Sequence, residues 1–204
     1  IAGHLDGDRP FWWTEAEDLV RIGGLVPGWE GSSPPEIVRR LKAVPEKRRR
    51  AALADLRRTA SVPAPPRPQL RGADLGVLTS GGIEVGNHTM THPCLPRCTD
   101  GQVRQEIEDA HTALRAALGR PPTAFAYPNG DWDSRGERLL RHLGYRTGFL
   151  FDHALVRRGP GHPLRISRVR VNSTTRVERL GLILSGLHPT LHQVRTRLTG
   201  SRAR

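Results

Sequence analysis

The chain has 204 residues, with 32 lysines and arginines against 20 acids for a formal charge of +12, and a hydrophobic content of 36%. That length suits one domain with a substantial core, and no apolar run approaches the roughly 18 residues of a membrane span. The basic excess is nearly all arginine, Lys42 and Lys47 being the only lysines; without aromatic-interleaved basic stretches or zinc-finger spacings it reads as a solvated surface, and nucleic acid is an unlikely partner.

The opening IAGHLDGDRPFWW lacks a basic segment followed by an apolar one, so no signal peptide is read in it. It starts at Ile1 and not at methionine, which suggests an incomplete N-terminus and a targeting signal lost with it. Phe11, Trp12 and Trp13 are expected to pack the start of a helix over 14–22, lining of a glycan groove being the alternative, and Thr14 and Glu17 form a capping-box pattern there. Trp29 reads as a loop anchor. Ser33-Pro34-Pro35 opens a second helix, Pro45 interrupts it, and the charged stretch 46–58 resumes it.

The proline-rich segment 61–70, SVPAPPRPQL, reads as a rigid connector. Within a single domain it sets an N-terminal helical part, 1–60, apart from a motif-bearing core, 71–174, and a helical tail, 175–204. The core then alternates: a β-like run at 83–86, a helix from Thr99 to Leu118, a run at 123–127, a helix at 134–143, and runs at 146–151 and 165–171. Helices at 175–184 and 189–198 close the chain. This alternation predicts an α/β fold, a half-open β/α barrel or sheet, with functional residues where strands end.

Two motifs fall at such ends. In EVGNHTMTHPC, His88 and His92 are four apart, a spacing that places both imidazoles on one side of a helical turn within reach of one metal ion. Alone, such a pair is more often structural; its position two residues past a strand, with the FAYPNGDWD loop at the end of the next one, favours a metal. Thr89 and Thr91 read as caps of that turn. Cys94 and Cys98 leave three readings open: plain thiols, a disulfide, or a structural His₂Cys₂ zinc knot. The knot would define a non-catalytic, basic, zinc-stabilised module binding nucleic acid or an anionic glycan. Pro93 and Pro96 stiffen the segment against that geometry.

HTMTH preceded by EVGN, followed by TDGQVRQEIEDAHTALRAALG, RPPTAFAYPNGDWD and LGYRTGF in that order, resembles the polysaccharide deacetylases, also called carbohydrate esterase family 4 or the NodB-homology domain. The resemblance implies a distorted or partial (β/α) barrel and metal-dependent hydrolysis of the N-acetyl groups of an amino-sugar polysaccharide, releasing acetate. It makes His88 and His92 ligands of a divalent metal, usually Zn²⁺, and Asn129 the backbone donor to the oxyanion. Tyr127, Pro128 and Gly130 would shape the groove wall, and Trp132 would stack on a sugar.

The same resemblance exposes departures. The family's third ligand comes from an Asp-Asp pair upstream of the part matching IAGHLDG, and no Asp-Asp dipeptide occurs in this sequence. Asp6 and Asp8 read as turn residues, not substitutes, so the chain is expected to be N-terminally truncated or impaired. Ala126 stands where many members carry an arginine that orients the catalytic aspartate. His188 is a loose candidate for the general acid, with His192 behind it. Relatives act on cell-wall or exported glycans, giving an expected cytoplasmic or envelope-associated location in bacteria. Oligomeric state is not read from the sequence.

Overall fold

The computed structural model describes residues 1–152, 154, 161–169 and 171–186. The N-terminal part is a three-helix unit: α1 (Trp12–Arg21), α2 (Pro34–Ala43) and α3 (Glu46–Thr59). Their apolar stripes meet in one cluster of Trp12, Ala16, Leu19, Ile37, Leu41, Ala52, Leu53 and Leu56, with Val26 from the intervening loop. Pro34 and Pro35 begin α2 where a missing N–H costs nothing. Pro45 lies between α2 and α3, where its lack of an N–H stops the first helix.

α1 starts two residues earlier than Thr14, and Phe11 occupies the cap position without a side-chain bond. Burial decides this: Trp12 is 6% exposed and its Nε1 donates to the His92 carbonyl at 2.9 Å. The first helical turn is therefore set by tertiary contact, and Thr14 and Glu17 lie inside the helix. An ion pair locks the unit, with Arg57 Nε and an Nη donating to both oxygens of the buried Glu15 at 2.6 and 2.7 Å.

Residues 61–70 carry no regular structure, in keeping with a proline-rich connector. After it comes α4 (Gly72–Ser80), which the sequence reading missed. Two internal glycines weaken its helical signal. Asp74 accepts the Arg71 N–H at 2.8 Å and Asp6 accepts the Gly72 N–H at 3.0 Å, so a carboxylate 66 positions upstream completes its N-terminus. Asp6 thus caps a helix and does not approach the histidines as a ligand.

α5 (Asp100–Leu118) matches expectation: Thr99 Oγ1 accepts from Gln102 N while the Gln102 side chain accepts from Thr99 N, and Gly119 at φ +70° ends the helix. It buries Val103, Glu106, Ile107, Ala110 and Leu114. α6 (Ser134–His142) is capped by Asp133, which accepts from Arg135 N and Gly136 N.

The sheet is smaller than the sequence suggests. β1 (Ala124–Ala126) and β2 (Thr147–Phe149) pair in parallel, Ala124 opposite Thr147 and Ala126 opposite Phe149. No strand forms at 83–86 or among the described residues of 165–171; Asn87, just past the first run, makes one parallel bridge to Phe125, and Ile166 makes one to Phe149. At the first, Gly86 lies so close to Ala124 that the two backbones pass in near contact. The result is an open, parallel, four-segment strip with α5 and α6 on it, a partial and distorted barrel. Its core gathers Leu95, Val103, Ile107, Phe125, Tyr127, Leu140, Tyr145 and Leu164. α7 (Val177–Leu184) follows; the predicted helix 189–198, His188 and His192 lie outside the described residues. No helix among the described residues is long and apolar enough to cross a membrane.

Candidate functional site

Because the four segments run parallel, their carboxyl ends share one edge: His88 after Asn87, the Tyr127-Pro128-Asn129-Gly130 loop after β1, Leu150 and Phe151 after β2, and Arg168 after Ile166. Open parallel sheets bind ligands at this edge.

The histidines do meet there, their ring centroids 4.6 Å apart and nearly perpendicular. A helical turn is not what joins them, however. Thr89 and His92 have φ of +65° and +58°, a region costly for any residue with a Cβ and especially for a β-branched one. Such strain persists only where bonds over-determine it. Asn87 Oδ1 accepts Thr89 N–H at 2.8 Å, Thr89 Oγ1 accepts His92 N–H at 3.0 Å, and Thr89 O accepts Ala2 N–H at 3.1 Å. Glu106 on α5 clamps the other side, accepting from Thr91 N and Thr91 Oγ1 at 2.8 and 2.6 Å. Thr89 therefore caps this turn, as expected, while Thr91 ties it to α5.

Asn87 is fully buried and bonded throughout. Its Nδ2 donates to Tyr145 Oη at 2.7 Å and to the Ile107 carbonyl at 3.3 Å; the Tyr145 hydroxyl also contacts His111 Nδ1 at 3.1 Å. His88 Nδ1 lies 2.6 Å from the Ala126 carbonyl, which only accepts, so Nδ1 carries the hydrogen and Nε2 keeps its lone pair. His92 is 9% exposed with a buried Nδ1 that meets no partner among the described residues. Burial lowers the proton affinity of both rings, His92 reaching a pKa of about 3 through burial and then the neighbouring His88. Both are neutral at ordinary pH.

The N-terminal helices belong to this site, contrary to the expected separation. Trp13 lies 4.6 Å from the His92 ring and stacks on Phe11 at 4.8 Å, so α1 supplies one wall. The contact joins residues 79 positions apart, so the local pattern of the FWW triplet does not specify it.

The β1 loop brings further corrections. Tyr127 is fully buried against Phe125, and Pro128 is buried beside it; they support the loop from beneath and line no open groove. Strand alternation explains Tyr127, which continues the inward phase set by Phe125. Asn129 sits at φ +56°, and among the described residues its N–H meets no acceptor. Its Nδ2 donates to Cys94 Sγ at 3.3 Å. Gly130, at φ +81°, presses against the backbone of Phe151.

Trp132 is 39% exposed, and Arg165 covers one ring face at 4.1 Å from the centroid. Trp132 Nε1 and Arg165 Nε each donate to Glu137 Oε2 at 2.5 Å, and Arg141 donates to Oε1 at 2.6 Å. Burial alone would raise this carboxyl's pKa; the bonds from Arg165, Arg141 and Trp132 outweigh it and hold the pKa at about 2, below the ordinary 4.5. A depressed carboxyl stabilises the fold above pH 4.5 and loses that contribution as pH falls toward 2. Glu137→Gln is expected to flatten this acid limb in a melting series, and to cost about 2 kcal/mol at pH 7 after allowing for the solvent exposure of the arginines. An unchanged acid limb would show that the cluster adds nothing to stability.

Cys94 and Cys98 are buried free thiols, Cys98 donating weakly to the Cys94 carbonyl at 3.5 Å. Burial pushes the Cys98 pKa up to about 12, far from the thiolate that binds metal. Among the described residues no group of three His, Cys, Asp or Glu side chains is arranged to hold a metal. The donor set is therefore two neutral imidazoles. They suit a divalent metal in chemistry, one oriented by a backbone carbonyl and the other with an orphaned buried nitrogen, and they leave room for further ligands.

An open parallel α/β strip with a histidine pair and a strained Pro-Asn-Gly loop at its carboxyl edge defines a partial β/α barrel with a candidate metal centre. Residues 74–148 match the family described as polysaccharide deacetylase, and over that segment the chain is similar to a NodB-type deacetylase domain. A chitooligosaccharide deacetylase of Bradyrhizobium sp. (strain ANU 289) is 41% identical over 56 residues, 27% of this chain and 26% of that protein. Among solved structures, the Streptococcus pyogenes deacetylase PplD in complex with acetate is similar with a TM-score of 0.51 and 22% identity, covering 59% of this chain and 51% of that one. A de-N-acetylase from Aggregatibacter actinomycetemcomitans matches with a TM-score of 0.51 at 10% identity over 61% of this chain and 56% of that one. These two share the fold. The chain thus spans about a quarter of its curated relative and about half of the solved chains.

Proposed function

We propose that this domain serves metal-assisted hydrolysis of N-acetyl groups on an amino-sugar polysaccharide, yielding acetate and a free amine. The observation that carries the reading is the His88–His92 pair, with ring centroids 4.6 Å apart and both rings neutral, on the carboxyl edge beside the Asn129 loop. When bound, a divalent cation such as Zn²⁺ supplies Lewis-acid activation of water and of the scissile carbonyl.

The chain's own residues do the rest. His88 and His92 contribute two ligands, His88 oriented by the Ala126 carbonyl. The unpartnered Asn129 N–H is available to the developing oxyanion. The exposed part of Trp132 and the partly exposed Gly130 offer contact to the sugar. The third metal ligand and the general base fall to an acidic group beyond this cluster. Ala2 and Gly3 bond to Thr89 and Met90, so chain preceding Ile1 would emerge beside the histidine turn and could deliver it. The Asp-Asp pair that the family resemblance assigns to these roles does not occur in this sequence.

The test is zinc bound per chain, with its affinity, for wild type, His92→Ala and Cys98→Ser, alongside acetate release from N-acetylglucosamine oligomers by a form extended upstream of Ile1. Loss of zinc with His92→Ala alone, and acetate release in the extended form, are the expected results. Equal loss with Cys98→Ser would make the metal structural and sink the hydrolase reading.

A further inference from the structure

Among the described residues, the arginines around Trp132 have a carboxylate partner and Arg168 has none. Arg165 and Arg141 are neutralised at Glu137. Arg168 takes part in no ion pair among the described residues. Its Nε donates to the Leu150 carbonyl at 2.6 Å, and its guanidinium carbon lies 5.7 Å from the ring centroids of both Phe149 and Phe151. These contacts fix the plane of the guanidinium and use one of its nitrogens. The two terminal nitrogens, on an exposed residue, have no partner among the described residues.

Topology places this fork at the reaction edge. Ile166 pairs with Phe149, Phe149 with Ala126, and Ala126 holds His88. Phe151, beneath the guanidinium, is also the residue against which Gly130 packs. Asp152, the acid whose charge favours the guanidinium, is engaged with Ser167 Oγ at 2.8 Å.

We infer that Arg168 is an anion-binding fork beside the histidine pair, reading a carboxylate carried by the substrate glycan close to the acetamide that is cleaved. A planar guanidinium with two free donors matches a carboxylate bidentately. The fork is preorganised by Leu150 and the two phenylalanines, so little side-chain entropy is lost on binding.

The inference rests on the proposed glycan site and deepens it. Its test is binding, which needs no turnover. Affinities are compared for a neutral N-acetylglucosamine tetramer and for a tetramer of equal length with alternating N-acetylmuramic acid, which bears a carboxylate, using wild type, Arg168→Lys and Arg168→Gln. Wild type is expected to prefer the acidic tetramer by about tenfold or more. Arg168→Gln should abolish that preference and Arg168→Lys retain part of it, with neutral binding unchanged in both as a check on folding. Equal wild-type affinity for the two tetramers, or a preference that survives Arg168→Gln, overturns the inference and leaves the glycan site standing. Binding of neither tetramer overturns both. Acetate alone is titrated as well: Arg168-dependent acetate binding without discrimination between tetramers would mean that the fork captures the released product, and the substrate assignment would fall.

Discussion

Gly130→Ala is expected to lower the melting temperature by about 6–12 °C and to abolish deacetylation by any active form of the domain. Gly130 has φ +81°, where a Cβ costs about 1–2 kcal/mol. A Cβ there would also fall inside contact distance of Phe151 N, Cα and Cβ. That obstacle is backbone and not the end of a flexible side chain, so the loop must move, adding about 1–3 kcal/mol. The sum, about 3 kcal/mol, gives the expected shift for a chain of this size. Asn129 moves with the loop, and with it the proposed oxyanion donor. Gly28→Ala is the control: φ is +80° there with nothing within 4 Å of an added Cβ, so only the conformational cost of about 1 kcal/mol should appear. Equal effects at the two positions would mean that the Phe151 contact is not what fixes the loop.

How much of this was legible in the sequence depends on the range of the interaction. α2, α3, α5 and α6 announced themselves because prolines, capping residues and 3.6-residue periodicity act within a few positions. The histidine pair and the Pro-Asn-Gly loop were legible as motifs, and the alternation of elements placed both at one edge of a parallel sheet. The mechanism that joins the histidines was not. A four-residue spacing suggests a helical turn, but Asn87, Glu106 and Ala2 hold the segment in two left-handed residues instead. β-Propensity likewise overcalled 83–86 and 165–171, because a single bridge at Asn87 or Ile166 suffices to align an extended segment. The α1 start, the Trp13 wall, the Asp6 cap of α4 and the Arg168 fork all depend on contacts between residues far apart in the chain, for which local pattern carries no signal. For Arg168 the sequence even misled, since the residue falls inside the strand-like run 165–171, and only the single bridge at Ile166 leaves it past a strand end.

The same reasoning makes Asn87 the position where one side-chain change should do most to the site without touching a histidine. Asn87→Ala removes the acceptor of Thr89 N–H and the donor to Tyr145 Oη and Ile107 O, three bonds at a fully buried position. Each unsatisfied group costs about 1–3 kcal/mol, so a loss of about 3–4 kcal/mol is expected in denaturant unfolding. The strained φ at Thr89 then has one restraint fewer, and the ring of His88 is no longer held in register with Ala126. Zinc affinity should fall by about 10–100-fold, the range seen when groups orienting a ligand are removed. Tyr145→Phe separates the two effects, because it deletes the hydroxyl's contacts with Asn87 Nδ2 and His111 Nδ1, on the far side of Asn87, and leaves the Thr89 contact intact. It should cost about 1 kcal/mol with zinc affinity nearly unchanged. If Tyr145→Phe weakened zinc as much as Asn87→Ala, the turn would be held through the Tyr145–His111 side of the network, and the direct Asn87–Thr89 bond would not be the element that shapes the site.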